Sequence, residues 1–152
     1  MSKKKTKKIY SENSKTTSRQ SYSSDNEKII WIFDSLDVDG NFAFNLDIIE
    51  TNRHLKEIFS KTIEYSKYTW SEIKKQTHDE SISKHHELDY DGMSSEAKER
   101  INKLHLDEYT DSIFSFALQN KLRIIGIRVN EKFYVKWYDP EHKFYPGKKK
   151  HT

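Results

Sequence analysis

Two apolar runs joined by a two-residue connection, near the end of the chain, restrict the fold more than any other feature. Residues 122–129 (LRIIGIRV) and 132–138 (KFYVKWY) are rich in β-branched and aromatic residues, which favour strands. Asn130 and Glu131 between them make a connection short enough for a hairpin. Because the first run has apolar side chains on both faces, it is typical of a central strand. The sequence therefore predicts a hairpin in the middle of a sheet.

Two more segments have the character of strands. From Ser112 onward the apolar pattern has a period of two, and residues 119–121 (QNK) make a second connection short enough for a hairpin. Residues 27–33 (EKIIWIF) have the composition of a short buried strand. These segments extend the hairpin to a C-terminal antiparallel meander of three to four strands.

Three segments of the remaining chain have helical signals. An apolar stripe runs along residues 46–65. Thr69 and Glu72 fit a capping box at the start of a short helix, and Ser94 or Ser95 can cap a third helix. Together with the strands, these helices predict an α+β fold in which N-terminal helices pack on the C-terminal antiparallel meander.

Charge and composition divide the chain into three parts. Residues 1–26 are polar and basic, which indicates a disordered arm, and residues 147–152 form a short basic tail. Residues 27–146 are predicted to form a single domain. The formal net charge is only +3, so the basic ends flank a body that is acidic on balance, and these ends suit a polyanionic partner. Improved solubility is the alternative explanation for the basic ends.

Cysteine is absent from the chain, which excludes disulfide bonds and thiolate chemistry. The basic N-terminal segment lacks the apolar core of a secretory signal. The longest apolar run, residues 29–33, is too short to span a membrane. We therefore expect a cytoplasmic protein without a membrane partner.

The segment after the hairpin, Asp139-Pro140-Glu141-His142, has side chains suited to chemistry on an anion. Pro140 cannot donate to a sheet, so it ends the strand and places His142 at the rim, where an imidazole can titrate near neutral pH. Cleavage of RNA by acid–base chemistry needs a base, an acid and cations for the phosphate. We assign these roles to His142 as acid or base, Tyr145 or Glu141 as its helper, and Arg123, Arg128 and Lys136 around the phosphate. A surface turn with a solvated histidine is the alternative.

Aromatic and basic residues alternate along the second strand of the hairpin and beyond it. Tyr134, Lys136 and Tyr138 are predicted to share one face of the sheet. Tyr138 and Lys143 therefore belong to a surface on which bases can stack beside the phosphate. Ordinary packing of the sheet is the alternative.

His85 and His86 stand side by side in the sequence KHHE. Adjacent residues of extended backbone point to opposite sides, so at most one of the two serves a given site. His85 or His86 is a candidate to join His142 in the acid–base site, and a solvated loop is the alternative. A metal site that uses them with His78 and nearby carboxylates is less favoured, because no metal-binding spacing is present. The sequence therefore predicts no cofactor.

Residues 37–41 (DVDGN) are similar to part of a calcium-binding loop. If Gly40 takes the sixth position of such a loop, the twelfth position is Leu46, where a bidentate Glu is required. The segment is therefore predicted to be a turn.

Residues 112–146 resemble the C-terminal half of the RelE/ParE-type toxins. The shared features are a strand with R-x-x-G-x-R starting at Arg123, an aromatic strand (FYVKW) and the ending D-P-x-H-x-x-Y. These toxins are small bacterial α+β proteins with helices followed by an antiparallel sheet. Many are ribosome-dependent mRNA endonucleases that a cognate antitoxin neutralises. The resemblance implies that Arg123 binds phosphate and that His142 or Tyr145 is the acid–base group.

The preferred interpretation is a metal-independent mRNA endoribonuclease of a toxin–antitoxin system. Its partners are then RNA, free or bound to the ribosome, and an antitoxin protein. A non-catalytic module that binds nucleic acid or protein is the first alternative. A metal-dependent hydrolase built on histidines is the second.

Overall fold

The computed structural model describes residues 24–44, 52–78 and 82–147 of the 152-residue chain. Within these ranges, five strands form one sheet in the order β1-β5-β4-β3-β2. The strands are β1 (Ile30–Ile32), β2 (His86–Glu87), β3 (Ile113–Ala117), β4 (Arg123–Val129) and β5 (Lys132–Asp139). Most of the predicted arm and nearly all of the predicted tail lie outside the described residues.

The predicted meander is confirmed, since β3, β4 and β5 pair antiparallel in chain order. Each of its two connections contains an asparagine with positive φ, namely Asn120 (56°) and Asn130 (57°). Asparagine tolerates this left-handed backbone better than most residues do. Both turns therefore form with little strain.

The prediction of a purely antiparallel sheet of three to four strands is wrong at both edges. β1 runs parallel to β5, with Trp31 opposite Phe133, so the sheet is mixed. β2 adds a fifth strand, with His86 opposite Ser115. Local composition indicated a strand near residue 30, but its pairing with a segment 100 residues away leaves no local pattern. β2 has only two residues, too few to display a period of two.

β5 has one more residue than β4 over the paired stretch. Ile125 lies opposite Trp137. The next residue, Gly126, lies opposite Val135, which leaves Lys136 as the extra residue of a β-bulge. The two strands approach closely here, because a Cβ atom on Gly126 would overlap the backbone of β5.

This bulge overturns the predicted stacking face. Strict alternation puts Tyr134 and Tyr138 on the same face of the sheet. In the structure, Tyr134 lies in the hydrophobic core on one face and Tyr138 in the core on the other. The prediction that these tyrosines share a face with Lys136 is therefore wrong, because the extra residue reverses the alternation.

Helices in the described ranges are α1 (Asn52–Tyr65), α2 (Trp70–Lys74) and α3 (Ser95–Lys103), with short 3-10 helices at Tyr90–Gly92 and Asp107–Ser112. The predicted capping box of α2 is present: the Glu72 N–H donates to Thr69 Oγ1 (3.1 Å), and the Thr69 N–H donates to Glu72 Oε1 (2.9 Å). Ser94 caps α3 by accepting the N–H of Ala97. The predicted first turns of α1 fall in residues 45–51, outside the described ranges.

Helices cover both faces of the sheet, which explains why its strands are apolar on both sides. On one face, Tyr65 of α1 and Trp70 of α2 pack against Phe116. On the other face, Ala97 and Ile101 of α3 join a separate core. The α+β class is confirmed, but the helices are not one N-terminal layer, since α3 follows β2 and covers the second face. No helix in the described part of the chain is long and apolar enough to cross a membrane.

Candidate functional site

His85 and His86 have different environments. His85 is buried, and its Nδ1 accepts the backbone N–H of Ala117 at 3.0 Å. Its Nε2 therefore carries the proton and donates to Gln76 Oε1 at 2.9 Å. Burial, followed by the charge of Lys84, lowers the pKa of His85 to about 3, so the ring is neutral at physiological pH. His85 was predicted as a candidate catalytic group, but its contacts are those of a structural histidine.

His86 is half-buried and belongs to a group of titratable side chains at one end of the sheet. Burial, followed by the positive charges of Arg123 and His142, lowers the pKa of His86. Partial desolvation of the exposed His142 ring, followed by the charge of Arg123, likewise lowers its pKa, and the Asp139 carboxylate opposes this shift. The strand register agrees with this grouping, since Arg123 lies opposite Asp139, three residues before His142, and His86 lies on β2 at the same end of the sheet. We call His86, Arg123 and His142 the histidine–arginine cluster.

Arg123 is the permanent cation of this cluster, and it makes no ion pair with any residue that the structure describes. Its Nη1 donates to the backbone carbonyls of Asn120 (2.8 Å) and Leu122 (3.0 Å). Arg100 and Arg128, by contrast, are paired with carboxylates. The Asp139 carboxylate lies opposite Arg123 in the sheet and acts on it without an ion pair, so the guanidinium is still suited to binding an external anion.

Asp139 fixes the turn that presents His142. Its two carboxylate oxygens accept the backbone N–H groups of Lys143 and Phe144, both at 2.9 Å. His142 has a φ of 60°, a left-handed conformation that is uncommon for histidine and depends on such support. Burial raises the pKa of Asp139, and the two N–H groups oppose this effect. The sequence placed Asp139 at a corner but did not show that it holds the turn together.

The other residues predicted at this corner have different surroundings. Tyr145 donates its hydroxyl to Asp89 Oδ1 at 2.7 Å, and its ring lies against Gly92. Glu141 and Lys143 are exposed and line a small cleft of about 390 Å³ beside α3. Tyr145 is thus tied to the segment before α3, while Glu141 and Lys143 remain accessible to a ligand.

Arg128 lies away from the cluster, although it was predicted to bind the same phosphate. It is five residues from Arg123 on β4, which is roughly 17 Å at about 3.3 Å per residue, and the odd spacing turns it to the opposite face. Its Nη2 donates to Asp25 Oδ1 at 2.6 Å. Its guanidinium carbon lies 4.1 Å from the centre of the Trp70 ring. These contacts anchor Asp25, which the sequence assigned to the arm.

Lys136 and Tyr138, predicted to bind substrate, also have internal partners and are buried. Lys136 Nζ donates to the carbonyl of Ser35 at 2.8 Å, and burial lowers its pKa to about 8. The Tyr138 hydroxyl is hydrogen-bonded to His54 Nδ1 at 2.6 Å. The surface available to a phosphate therefore narrows to the histidine–arginine cluster and the exposed corner beside it.

Residues 37–41 form a turn, as predicted, and Asp37, the first of them, connects the turn to the rest of the fold. The buried carboxylate of Asp37 accepts two hydrogen bonds from Arg100 (2.9 and 3.0 Å) and one from Trp137 Nε1 (2.9 Å). Gly40 supplies the positive φ of 84° that the turn requires. Both carboxylate oxygens of Asp37 are thus engaged by Arg100 and Trp137, which agrees with a structural role in a turn.

Side chains placed to hold a metal ion do not occur as a group of three in the described ranges. Asp79 and Glu80, the two carboxylates that follow His78 in the sequence, lie outside those ranges. His85 has hydrogen bonds at both ring nitrogens.

A larger cleft, of about 530 Å³, lies on the other side of the Pro140-Glu141 corner. His54 and Glu57 of α1 line it, and the sequence analysis did not identify either as a site residue. Both belong to the predicted helix 46–65, where polar side chains between apolar ones are expected simply to face solvent. Only the folded chain shows that α1 and the Pro140-Glu141 corner line the same cleft.

Comparison with protein-family models, with curated proteins and with solved structures found no match to this chain. The resemblance to RelE/ParE-type toxins thus depends on the motifs in residues 112–146 alone.

Proposed function

We propose that this chain is a metal-independent endoribonuclease that cleaves mRNA at the histidine–arginine cluster. The observation that carries the proposal is the half-buried guanidinium of Arg123, which makes no ion pair within the described residues, has Asp139 opposite it in the sheet, and acts on two nearby imidazoles. Arginine binds phosphate through several N–H groups, and two imidazoles supply a base and an acid. The toxin-like order of Arg123 and His142 in the sequence agrees with this use.

The proposed reaction is an internal transfer within the RNA strand. One imidazole removes the proton of a 2′-hydroxyl group, and the resulting oxygen attacks the adjacent phosphorus. The second imidazole, in its protonated form, donates a proton to the departing 5′-oxygen as the phosphorus–oxygen bond breaks. The products are a 2′,3′-cyclic phosphate and a free 5′-hydroxyl group. His142 and His86 take the proton-transfer roles, and Arg123 stabilises the negative charge that develops on the phosphoryl oxygens.

The charges of the cluster favour this division of roles. In the free protein, the lowered pKa values of His86 and His142 keep both imidazoles neutral near pH 7, ready to accept a proton. A phosphate bound at Arg123 adds negative charge, which raises both pKa values. This rise favours protonation of one imidazole when the substrate binds, so that the pair can supply an acid and a base.

The proposal includes partners and a location. The substrate is mRNA, free or on the ribosome, which implies action in the cytoplasm. A protein that cleaves the mRNA of its own cell needs a neutralising partner, and an antitoxin protein fills that role. Lysines in residues 3–8 and 148–150 add positive charge for the RNA backbone.

Induced expression of the wild type, His142→Asn and His105→Asn in a bacterial host tests the proposal. His105 is the matched control, because it is also an exposed histidine with positive φ (58°). Asparagine tolerates this backbone at both positions. We expect growth arrest and discrete transcript cuts, mapped by primer extension, from the wild type and His105→Asn only. Equal cutting by all three proteins would contradict the assignment of His142.

A non-catalytic module that binds nucleic acid is the second candidate. The favouring observation is that Lys121 and Lys143 are exposed beside the cluster, where they can contact a phosphate backbone without any chemistry. This candidate predicts no cuts from the wild type. It also predicts RNA binding that survives His142→Asn and weakens as the salt concentration rises.

A further inference from the structure

A cleft of about 530 Å³ opens on the α1 side of the Pro140-Glu141 corner that leads to His142. Three segments form its walls: α1 at His54 and Glu57, the turn between β3 and β4 at residues 119–122, and the corner at Pro140-Glu141. Small-molecule sites in proteins occupy about 300–1,000 Å³, so a cleft of this size accommodates a nucleoside.

The cleft and the cluster share two of these walls. In the turn, the backbone carbonyl of Asn120 accepts a hydrogen bond from Arg123 Nη1 at 2.8 Å. Lys121, in the same turn, is close enough to His142 for its charge to act on that imidazole. At the corner, Pro140-Glu141 leads directly to His142. A ligand that occupies both places therefore needs an anionic group attached to a second, uncharged group, which is the arrangement of a nucleotide.

The wall residues suit a base. Pro140, which is partly exposed, offers apolar surface to the flat face of a ring. The side-chain amides of Gln119 and Asn120 are exposed and offer donors and acceptors to its edge. The ring of His54 is held in place by its hydrogen bond to the Tyr138 hydroxyl.

Glu57 indicates which bases fit best. Its side chain lines the cleft, where a carboxylate accepts hydrogen bonds from the N–H groups of a ligand. Glu141 adds a second carboxylate to the same cleft. The cleft therefore favours ligands that donate hydrogen bonds.

We propose that this cleft binds the base of a ribonucleotide whose phosphate lies at Arg123, with a preference for bases that bear an exocyclic amino group. The position of the phosphate rests on the proposed function, whereas the base subsite rests on the cleft itself. Such a subsite gives the enzyme a sequence preference at the nucleotide that precedes the scissile phosphate.

Titration of the full-length, isotope-labelled protein tests the base subsite and the phosphate site separately. The probes are inorganic phosphate, adenosine, adenosine 3′-phosphate and uridine 3′-phosphate, each followed through backbone and side-chain amide signals. We expect phosphate to shift signals near Arg123 and His142, and adenosine to shift those of Gln119 and Asn120. We expect adenosine 3′-phosphate to shift both sets of signals. It should bind about tenfold more tightly than uridine 3′-phosphate, because it can make one additional hydrogen bond to a charged group.

Each of the other outcomes overturns the base subsite, the phosphate site or both. If adenosine 3′-phosphate shifts only the signals that phosphate alone shifts, the base subsite is overturned and the phosphate site stands. If adenosine shifts the cleft but phosphate shifts nothing, the phosphate site fails together with the proposed function, and the base subsite stands. If no probe shifts any signal, both are overturned.

A matched pair of variants on α1 tests the role of Glu57. Glu57→Leu removes the acceptor, and Glu64→Leu makes the same change at a position on that helix outside the cleft. We expect Glu57→Leu to abolish the preference for adenosine 3′-phosphate over uridine 3′-phosphate without changing the affinity for phosphate, and Glu64→Leu to change neither. A preference that persists in Glu57→Leu, with a native amide spectrum, overturns the assignment of Glu57.

Discussion

Asp139 and His142 form one structural unit at the end of β5. The carboxylate of Asp139 accepts the N–H groups of the two residues that follow His142, at 2.9 Å each. His142 lies inside this hydrogen-bonded turn with a φ of 60°. The geometry of the proposed acid–base group therefore depends on a buried carboxylate that need not touch the substrate.

Replacement of Asp139 by Asn tests this dependence. The amide keeps one oxygen but places an NH₂ group against the second backbone donor, so one hydrogen bond is lost in a buried site. We expect the free energy of unfolding to fall by about 1–3 kcal/mol, measured by urea denaturation. Asp91→Asn, at an exposed position, is the control and is expected to be neutral. Stability equal to the wild type would show that the turn does not need the Asp139 carboxylate.

The neutral state of His85 makes stability depend on pH. Its folded pKa of about 3 lies below the ordinary value of 6.5, so its contribution is complete above pH 6.5 and is lost as the pH falls toward 3. We expect the free energy of unfolding to fall by up to about 1.4 kcal/mol per pH unit below pH 6.5. Urea denaturation at several pH values measures the slope.

Variants at two histidines show whether His85 causes this change of stability with pH. His85→Gln keeps an acceptor for the Ala117 N–H group but has no titrating ring, so we expect it to flatten the pH dependence. His78→Gln, at an exposed histidine, is expected to leave the slope as in the wild type. A slope that survives in His85→Gln would assign the effect to other groups.

The strands of the meander could be predicted because their signals are local. Turn residues at Asn120 and Asn130 and a period of two define β3 to β5 without reference to the rest of the chain. The bulge at Lys136 could not be predicted, because a strand with one additional residue has the same composition as one without it. This single residue decides that Tyr138 faces His54 instead of sharing a surface with Tyr134.

The candidate site could be predicted only in part, for a similar reason. Arg123 and His142 stand in a recognisable order in the sequence, and the structure brings them together with His86. Arg128 is also an arginine of β4, like Arg123, yet it binds Asp25, which is 103 residues away in the chain. A basic residue in a strand has the same local pattern whether its partner is a phosphate or a distant carboxylate.

The Arg128–Asp25 pair leads to a prediction about stability. Arg128→Met removes a buried cation and leaves the largely buried Asp25 carboxylate without its closest partner. We expect the free energy of unfolding to fall by about 3 kcal/mol, the low end for a broken buried pair, because Lys74 still contacts Asp25. Lys132→Met, at an exposed position, is the control in the same denaturation experiment. A loss no greater than that of the control would contradict an anchoring role for Arg128.

An anion at Arg123 is expected to change the protonation of the two imidazoles of the cluster. Burial and the Arg123 charge lower the pKa values of His86 and His142 in the free protein, and a nearby negative charge raises them. Sulfate is the probe, because it keeps its charge between pH 5 and 8. NMR titration of the imidazole signals with and without sulfate should show both pKa values rising, while His85 stays neutral.

The variant Arg123→Gln supplies the decisive comparison for this prediction. Without the guanidinium, sulfate has no binding group beside the imidazoles, so the pKa values of His86 and His142 should no longer respond to it. The same variant should show higher pKa values than the wild type in the absence of sulfate, because a positive neighbour has been removed. An equal response to sulfate in both proteins would place the anion elsewhere and would remove Arg123 from the proposed site.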